Sequence, residues 1–439
     1  MSFLNFKSFF SGILVMFFIN GFSQDYTPID TADETFRLEL KSKYETIFKN
    51  FNIRLKSEYS GKKKNELVNA FSGFQEEFIE EINDGNFVKD SRFQKMLDGI
   101  IAELQAKNPE IPKNLRILLS RYPNINAYAL PDGTLVMNMG SFKFLENEDQ
   151  LASIISHEIA HNVLQHVLKS QIKQIDEDIA GKYRSKIRTI KQQQYGRHQH
   201  AFELMQNLLY EVGNMRRAHE IEADSLGFKY YQNTRFKDDE FVNAFRLLQR
   251  FDTIKPTGLS VDVYQKYFDL PTQKFDETWL EMEDFSGYDY SKFVEKFNKD
   301  SIASHPEAVE RIEFLQKEFP KLSSIEDVKE ASEEFKELQK IAELEEVPNM
   351  YFLKHYGLAI FVTLLKLEEG VDAKYYKYWL GKNFEKIYEA RKQYRLNRYL
   401  DTVNPQEQSE SYQQFLSFMW NLSLDELKNI AEFYAESGV

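Results

Sequence analysis

From residue 24 to about 113, apolar residues recur at helical spacing. Leu38, Leu40 and Tyr44 through Leu55 give a mixed apolar face, and Glu66–Ile82 and Phe93–Leu104 repeat the pattern before Pro109 and Pro112 close the section. The period then shortens. Leu115–Leu119, Asn126–Leu130 and Thr134–Asn138 are β-rich runs, and Pro131-Asp132-Gly133 is a turn signal because glycine accepts the positive φ that tight turns need. These runs predict a small antiparallel β-meander. A helical period returns at once, with Asn147 as N-cap, Gln150 three residues on as the partner of a capping box, and Ile154, Ile155, Ala160, Val163 and Leu164 as apolar faces of a buried helix. From about residue 323 the chain reads as helix to its end. Ile325, Val328, Phe335, Leu338 and Ala342 share a face, Pro348 is expected to break the run, and helices over Tyr351–Leu367, Lys374–Leu396, Glu407–Leu422 and Asp425–Tyr434 follow. These are of repeat size without a repeat consensus, so a tetratricopeptide-like array and a plain bundle both fit. The fold expected is mainly α with one small β-meander, divided into a domain over 24–322 and an all-α domain over 323–439.

Composition narrows the setting. A chain of 439 residues with 42% hydrophobic and 28% charged residues holds two or three domains with a sizeable core. The formal net charge of −13 without a strong basic block argues against nucleic acid or an anionic membrane surface as partner. Lys7, the apolar stretch Phe9–Phe18 and the small residues Gly21 and Ser23 have the anatomy of a secretory signal peptide over residues 1–23. No later segment reaches membrane-spanning length, so a soluble exported protein, periplasmic or secreted, is expected. The chain has no cysteine, which excludes disulfides, thiolate metal ligands and a cysteine nucleophile.

The candidate chemistry begins inside the buried helix, at His157-Glu158-Ile159-Ala160-His161. At about 100° per residue the two imidazoles leave one face about 40° apart, which suits two ligands of a tetrahedral Zn²⁺, with Glu158 beside them as general base. A second motif, Arg217-Ala218-His219-Glu220-Ile221-Glu222-Ala223-Asp224-Ser225-Leu226-Gly227, puts Glu220 and Asp224 on one helical face. A gluzincin needs a carboxylate as third ligand and an outer acid to orient an imidazole. Glu220 fits the first need and Asp224 the second. Glu222 is expected to face away, and His219 competes with Glu220 only from about 100° round the helix. His166, about 180° from His157 on a continued helix, is expected to be structural. The acidic, aromatic stretch over 255–300 suits ordinary packing better than a lid.

These stretches, with Ser304-His305-Pro306 and Arg311-Ile312, resemble the zinc metallopeptidases of the HtpX and CAAX prenyl endopeptidase type over about residues 90–318. Lacking spanning helices, the chain is similar to that family's soluble exported BepA-like branch. The resemblance implies His157, His161 and Glu220 as ligands of one Zn²⁺ per chain. It also implies a zincin core with an edge strand beside the metal, by position Asn126, Ala127, Tyr128, Ala129 and Leu130. His305-Pro306 is either a plain helix start, with Pro306 in the first turn, or, as the resemblance implies, near the metal, where His305 plugs the site or steadies the oxyanion, with Arg311 as the next candidate for that electrostatic role. The function expected is an endopeptidase acting on unfolded or misassembled envelope proteins through a metal-activated water. The C-terminal helices are a candidate dock for an envelope protein. The alternative is a chaperone-like or latent binding protein whose site His305 closes.

Overall fold

The computed structural model describes residues 26–29, 33–181, 197–253, 258–282, 308–322, 326–405 and 408–437. Residues 1–23, where a signal peptide is expected, and Ser304-His305-Pro306 lie outside them. Among the described residues, no helix is long and apolar enough to cross a membrane.

The chain is mostly helical around one four-stranded sheet. α1 (Glu34–Glu58) and α2 (Gly61–Asn83) form a helical hairpin, followed by β1 (Phe87–Val88) and α3 (Ser91–Lys107). The strands β2 (Arg116–Ser120), β3 (Ala127–Ala129) and β4 (Thr134–Asn138) then lead through the short α4 (Met139–Phe144) into α5 (Glu148–Leu164). The three expected strands are present, but not as an antiparallel meander. The sheet is mixed in the order β1-β2-β4-β3, with β2 and β4 parallel in register Arg116↔Thr134 and β3 antiparallel to β4. The reason lies in residues 121–126, which carry the chain past one strand position. The Pro131–Gly133 turn, with Gly133 at φ +90°, then folds β4 back into the gap. β1, only two residues long, shows no alternation that a sequence pattern could reveal.

Alternation across the sheet sorts the side chains into two cores. Ile117, Leu119, Leu135 and Met137 pack with α3, α5 and the helices that follow, whereas Val136, Leu118 and Tyr128 pack under α1 and α2. β4 is buried along its whole length, which is why its centre, Leu135-Val136-Met137, is apolar on both faces.

α5 starts as expected. Asn147 Oδ1 accepts the N–H groups of Asp149 and Gln150 at 3.0 and 2.9 Å. Gln150 reaches back one residue further than a capping box requires, accepting from Glu146 N at 3.0 Å. The same end is tied to buried Glu240, which accepts from Asn147 and Gln150 side chains and from the Lys329 N–H. α6 (His166–Ile179), α7 (Arg197–Tyr231), α8 (Asp238–Thr253), α9 (Val261–Phe268) and α10 (Ala308–Glu318) follow.

The C-terminal part consists of α11 (Glu333–Phe352), α12 (Tyr356–Glu368), α13 (Ala373–Lys392), α14 (Glu410–Asn421) and α15 (Leu424–Ser437). Pro348 does not break the run, and α11 continues through it to Phe352. Proline deprives the carbonyl four residues back of its donor. Here Tyr375 of α13 supplies a replacement, its hydroxyl donating to Leu344 O at 2.9 Å. Tyr264, Tyr267, Phe268 and Trp279 of the aromatic stretch are buried among these C-terminal helices as packing, and its residues 283–300 lie outside the described residues.

α5 and α7 approach closely where Gly227 meets His157. A Cβ on Gly227 would lie 3.0 Å from His157 Cα and 3.2 Å from Ser156 O, both backbone atoms. Gly227→Ala is therefore expected to destabilise the fold by about 1–3 kcal/mol through overpacking. The reading is a lower urea midpoint at unchanged slope. An unshifted midpoint would mean that the two helices part without strain.

Candidate metal centre

His157 and His161 stand one turn apart on α5, and their Nε2 atoms lie 3.0 Å from each other. Glu220 of α7 faces both, with Oε2 at 3.5 Å from His157 Nε2 and Oε1 at 3.5 Å from His161 Nε2. Among the described residues these three side chains form a group that could hold a metal ion. A tetrahedral ion bound at about 2.0–2.1 Å spaces its ligand atoms about 3.3 Å apart, so the observed separations bracket what a small divalent cation requires. Asp224, one turn after Glu220 and fully buried, brings Oδ1 to 2.9 Å from His157 Nδ1. Glu158 lines the cleft in front of the three.

The model of peptidase family M48 matches residues 88–319, more than half of the chain and the whole of this centre. The chain belongs to peptidase family M48. It is also similar to a protein of Vibrio cholerae serotype O1 provisionally named beta-barrel assembly-enhancing protease, at 28% identity over 92 residues. That match covers 21% of this chain and 19% of the relative, so it spans about a fifth of the relative's length.

In this M48 peptidase the charged groups behind the imidazoles are locked together. Arg311 of α10 donates from Nε and Nη2 to the two oxygens of Asp224 at 2.7 and 2.6 Å. Its Nη2 also lies 3.5 Å from Glu220 Oε2, and its guanidinium sits over the Phe245 ring at 4.3 Å. Burial alone would raise the Asp224 pKa, but the Arg311 charge and hydrogen bonds, with those of His157, hold it below the usual carboxylate range. Burial would likewise lower the His157 pKa, and its hydrogen bonds to Asp224 and Glu220 instead lift it to about 9. His161 has burial and the neighbouring His157 charge acting together, which push it down to about 2.

The cleft has a volume of about 1070 Å³. Asn126, Ala127, Tyr128 and Ala129 line one wall, with β3 at the end of the sheet, and α8 contributes Ala244, Phe245 and Leu248 opposite. Met350 of α11 and Leu358 of α12 also line it, so the C-terminal helices share this cleft. The edge strand is tied to the imidazole-bearing helix by Asn162, whose Nδ2 donates to Leu130 O at 2.7 Å.

The structure thus brings Glu158, His157, His161, Glu220, Asp224, Arg311 and the Asn126–Ala129 strand to one place, and His305 lies outside the described residues. Two residues have contacts that sequence reasoning missed. Asn162 stood in the motif stretch, but its target is a backbone atom of a strand 32 residues earlier, which no pattern announces. A continuous helix would leave His166 about 180° from His157. Instead α5 ends at Leu164, Gln165 takes a left-handed φ of +55°, and a new helix starts at His166. That break turns His166 back to within 2.9 Å of His161, Nδ1 to Nδ1. His219 stacks on His166, with ring centroids 4.2 Å apart, and stays out of the donor set. Glu222, though exposed, reaches His166 Nε2 at 3.1 Å.

Asp224→Asn would leave Arg311 buried beside half of its counter-charge, a change expected to cost about 3–5 kcal/mol at neutral pH. Because the folded-state pKa of Asp224 is depressed, its contribution is present above the unfolded value of about 3.9 and is lost as pH falls through the lower folded value. Urea unfolding from pH 7 to pH 3 should show the gap between wild type and Asp224→Asn closing only below about pH 4. A gap that is already closed at pH 6 would contradict this assignment.

Proposed function

We propose that this M48 peptidase is a zinc-dependent endopeptidase that cleaves unfolded or misassembled polypeptides of the cell envelope. The observation that carries this reading is the donor set of His157, His161 and Glu220 with Glu158 beside it, in a cleft walled by an end strand of the sheet. His157, His161 and Glu220 would hold Zn²⁺, which would supply a Lewis acid able to polarise a peptide carbonyl and to make a water acidic enough to give up its proton near neutral pH.

The remaining work falls to the chain. Glu158 takes the proton of the attacking water on a carboxylate oxygen and delivers it to the nitrogen of the leaving amine. Asp224, accepting from His157 Nδ1, keeps that ring's Nε2 turned to the donor set, and Arg311 holds Asp224 and Glu220 in place. An extended substrate pairs with the Asn126–Leu130 segment as an added strand. Main-chain hydrogen bonds then provide affinity with little demand on sequence, as suits unfolded clients. The relative's name supports an envelope setting, as does the signal-peptide pattern.

The test uses purified protein with metal analysis and an unfolded casein-type substrate. Wild type is expected to carry zinc, hydrolyse the substrate and lose activity to a chelator. Glu158→Gln should keep the metal while kcat falls by at least about 100-fold, the range of a general base. If wild type is as inert as Glu158→Gln, and His305→Ala does not restore turnover, the peptidase reading fails.

A further inference from the structure

Three imidazoles and two carboxylates lie in one line of close polar contacts through the centre. It runs from Asp224 Oδ1 to His157 Nδ1 at 2.9 Å, from His157 Nε2 to His161 Nε2 at 3.0 Å, and from His161 Nδ1 to His166 Nδ1 at 2.9 Å. It ends with His166 Nε2 against Glu222 Oε2 at 3.1 Å. His157 is thus held from behind by a carboxylate, as a ligating imidazole usually is, but His161 has a third histidine in that place. His166 is 3% exposed, and His219 covers it in a parallel stack at 4.2 Å.

The polarity of this line follows from proton counting. For both Nε2 atoms to offer lone pairs to one cation in front of Glu220, each neutral ring must carry its one proton on Nδ1, so the two Nε2 atoms converge on that cation and do not hydrogen-bond each other. His157 then donates to Asp224, and His161 must donate to His166. His166 Nδ1 can accept only if its own proton is on Nε2, and the acceptor facing Nε2 is the Glu222 carboxylate. Reversing the His161–His166 link would move the His161 proton onto Nε2, facing the cation, and set the His166 Nε2 lone pair against the Glu222 carboxylate.

We propose that His166, oriented by Glu222, is the positioning residue for His161: it fixes the ring's tautomer and angle so that Nε2 faces the metal. The inference rests on the peptidase reading above only in calling His161 a ligand. The left-handed Gln165 gains a purpose from it, since the helix break brings His166 back over His161. Glu222 gains one as well, as the outermost member of the line.

The experiment measures the zinc dissociation constant of the full chain by competition with a chelating dye. His166→Phe keeps a ring for the stack on His219 but removes both nitrogens, and His166→Gln restores an acceptor. His166→Phe should weaken zinc binding by about 10–100-fold, the usual effect of losing an outer-shell partner. His166→Gln should recover most of that loss, and metal-free thermal unfolding should be unchanged in both. Equal zinc affinity for wild type and a folded His166→Phe would overturn the proposal while leaving the peptidase reading standing. ¹⁵N spectra of the metal-free wild type give a readout that depends neither on the variants nor on zinc, and the chain has only 8 histidines to resolve. His161 is expected as the Nδ1–H tautomer, and an Nε2–H tautomer would overturn the proposal. Failure of wild type to bind zinc at all, with the expected tautomer present, would count against the peptidase reading and not against the His166–His161 link.

Discussion

The ion pair between Asp224 and Arg311 is the interaction on which the centre depends. Both residues are buried, and they come from helices far apart in sequence. Desolvating two charges costs several kcal/mol per ion, and only good geometry repays it. Here the geometry is two-pronged, and the spare capacity of each partner is used. Asp224 accepts from His157, while the guanidinium lies over Phe245 and near Glu220. The pair therefore fixes the relative position of α5, α7 and α10 at the point where their side chains must meet to within a few tenths of an ångström. Gly227 serves the same end, because its missing side chain lets α7 come against the backbone of His157.

Much of this centre was legible in the sequence, because its parts are local patterns. Two histidines at i and i+4, with a glutamate between, share a face on any helix, and so do Glu220 and Asp224. The Asn147 cap and the Pro131–Gly133 turn were readable for the same reason, since each is decided by a few adjacent residues. What escaped were consequences of three-dimensional adjacency. The parallel pairing of β2 and β4 depends on where residues 121–126 run. The continuity of α11 through Pro348 depends on a tyrosine of another helix that bonds the orphaned Leu344 carbonyl. The place of His166 depends on a left-handed glutamine, a residue type with no special preference for that conformation.

The electrostatics of the centre also follow from its neighbours more than from its residue types. His157 and His161 are chemically identical and four residues apart, yet their environments push them in opposite directions. One faces a buried carboxylate, and the other faces a histidine and the charge of the first. Identical side chains thus arrive at the same donor set by different means of support, a carboxylate behind one and a neutral ring behind the other.

The position of α11 bears on how the whole chain holds together. Its first half places Phe335, Leu338, Ile341 and Ala342 in the core that supports the metal centre, and its second half places Val347 and Met350 in the core of the C-terminal helices. One rigid rod is therefore shared by two apolar interiors, and Met350 also lines the cleft between them. The wall of the cleft and the packing of the outer helices are therefore one problem for the chain, because a substitution that repacks the core around Val347 also bears on Met350.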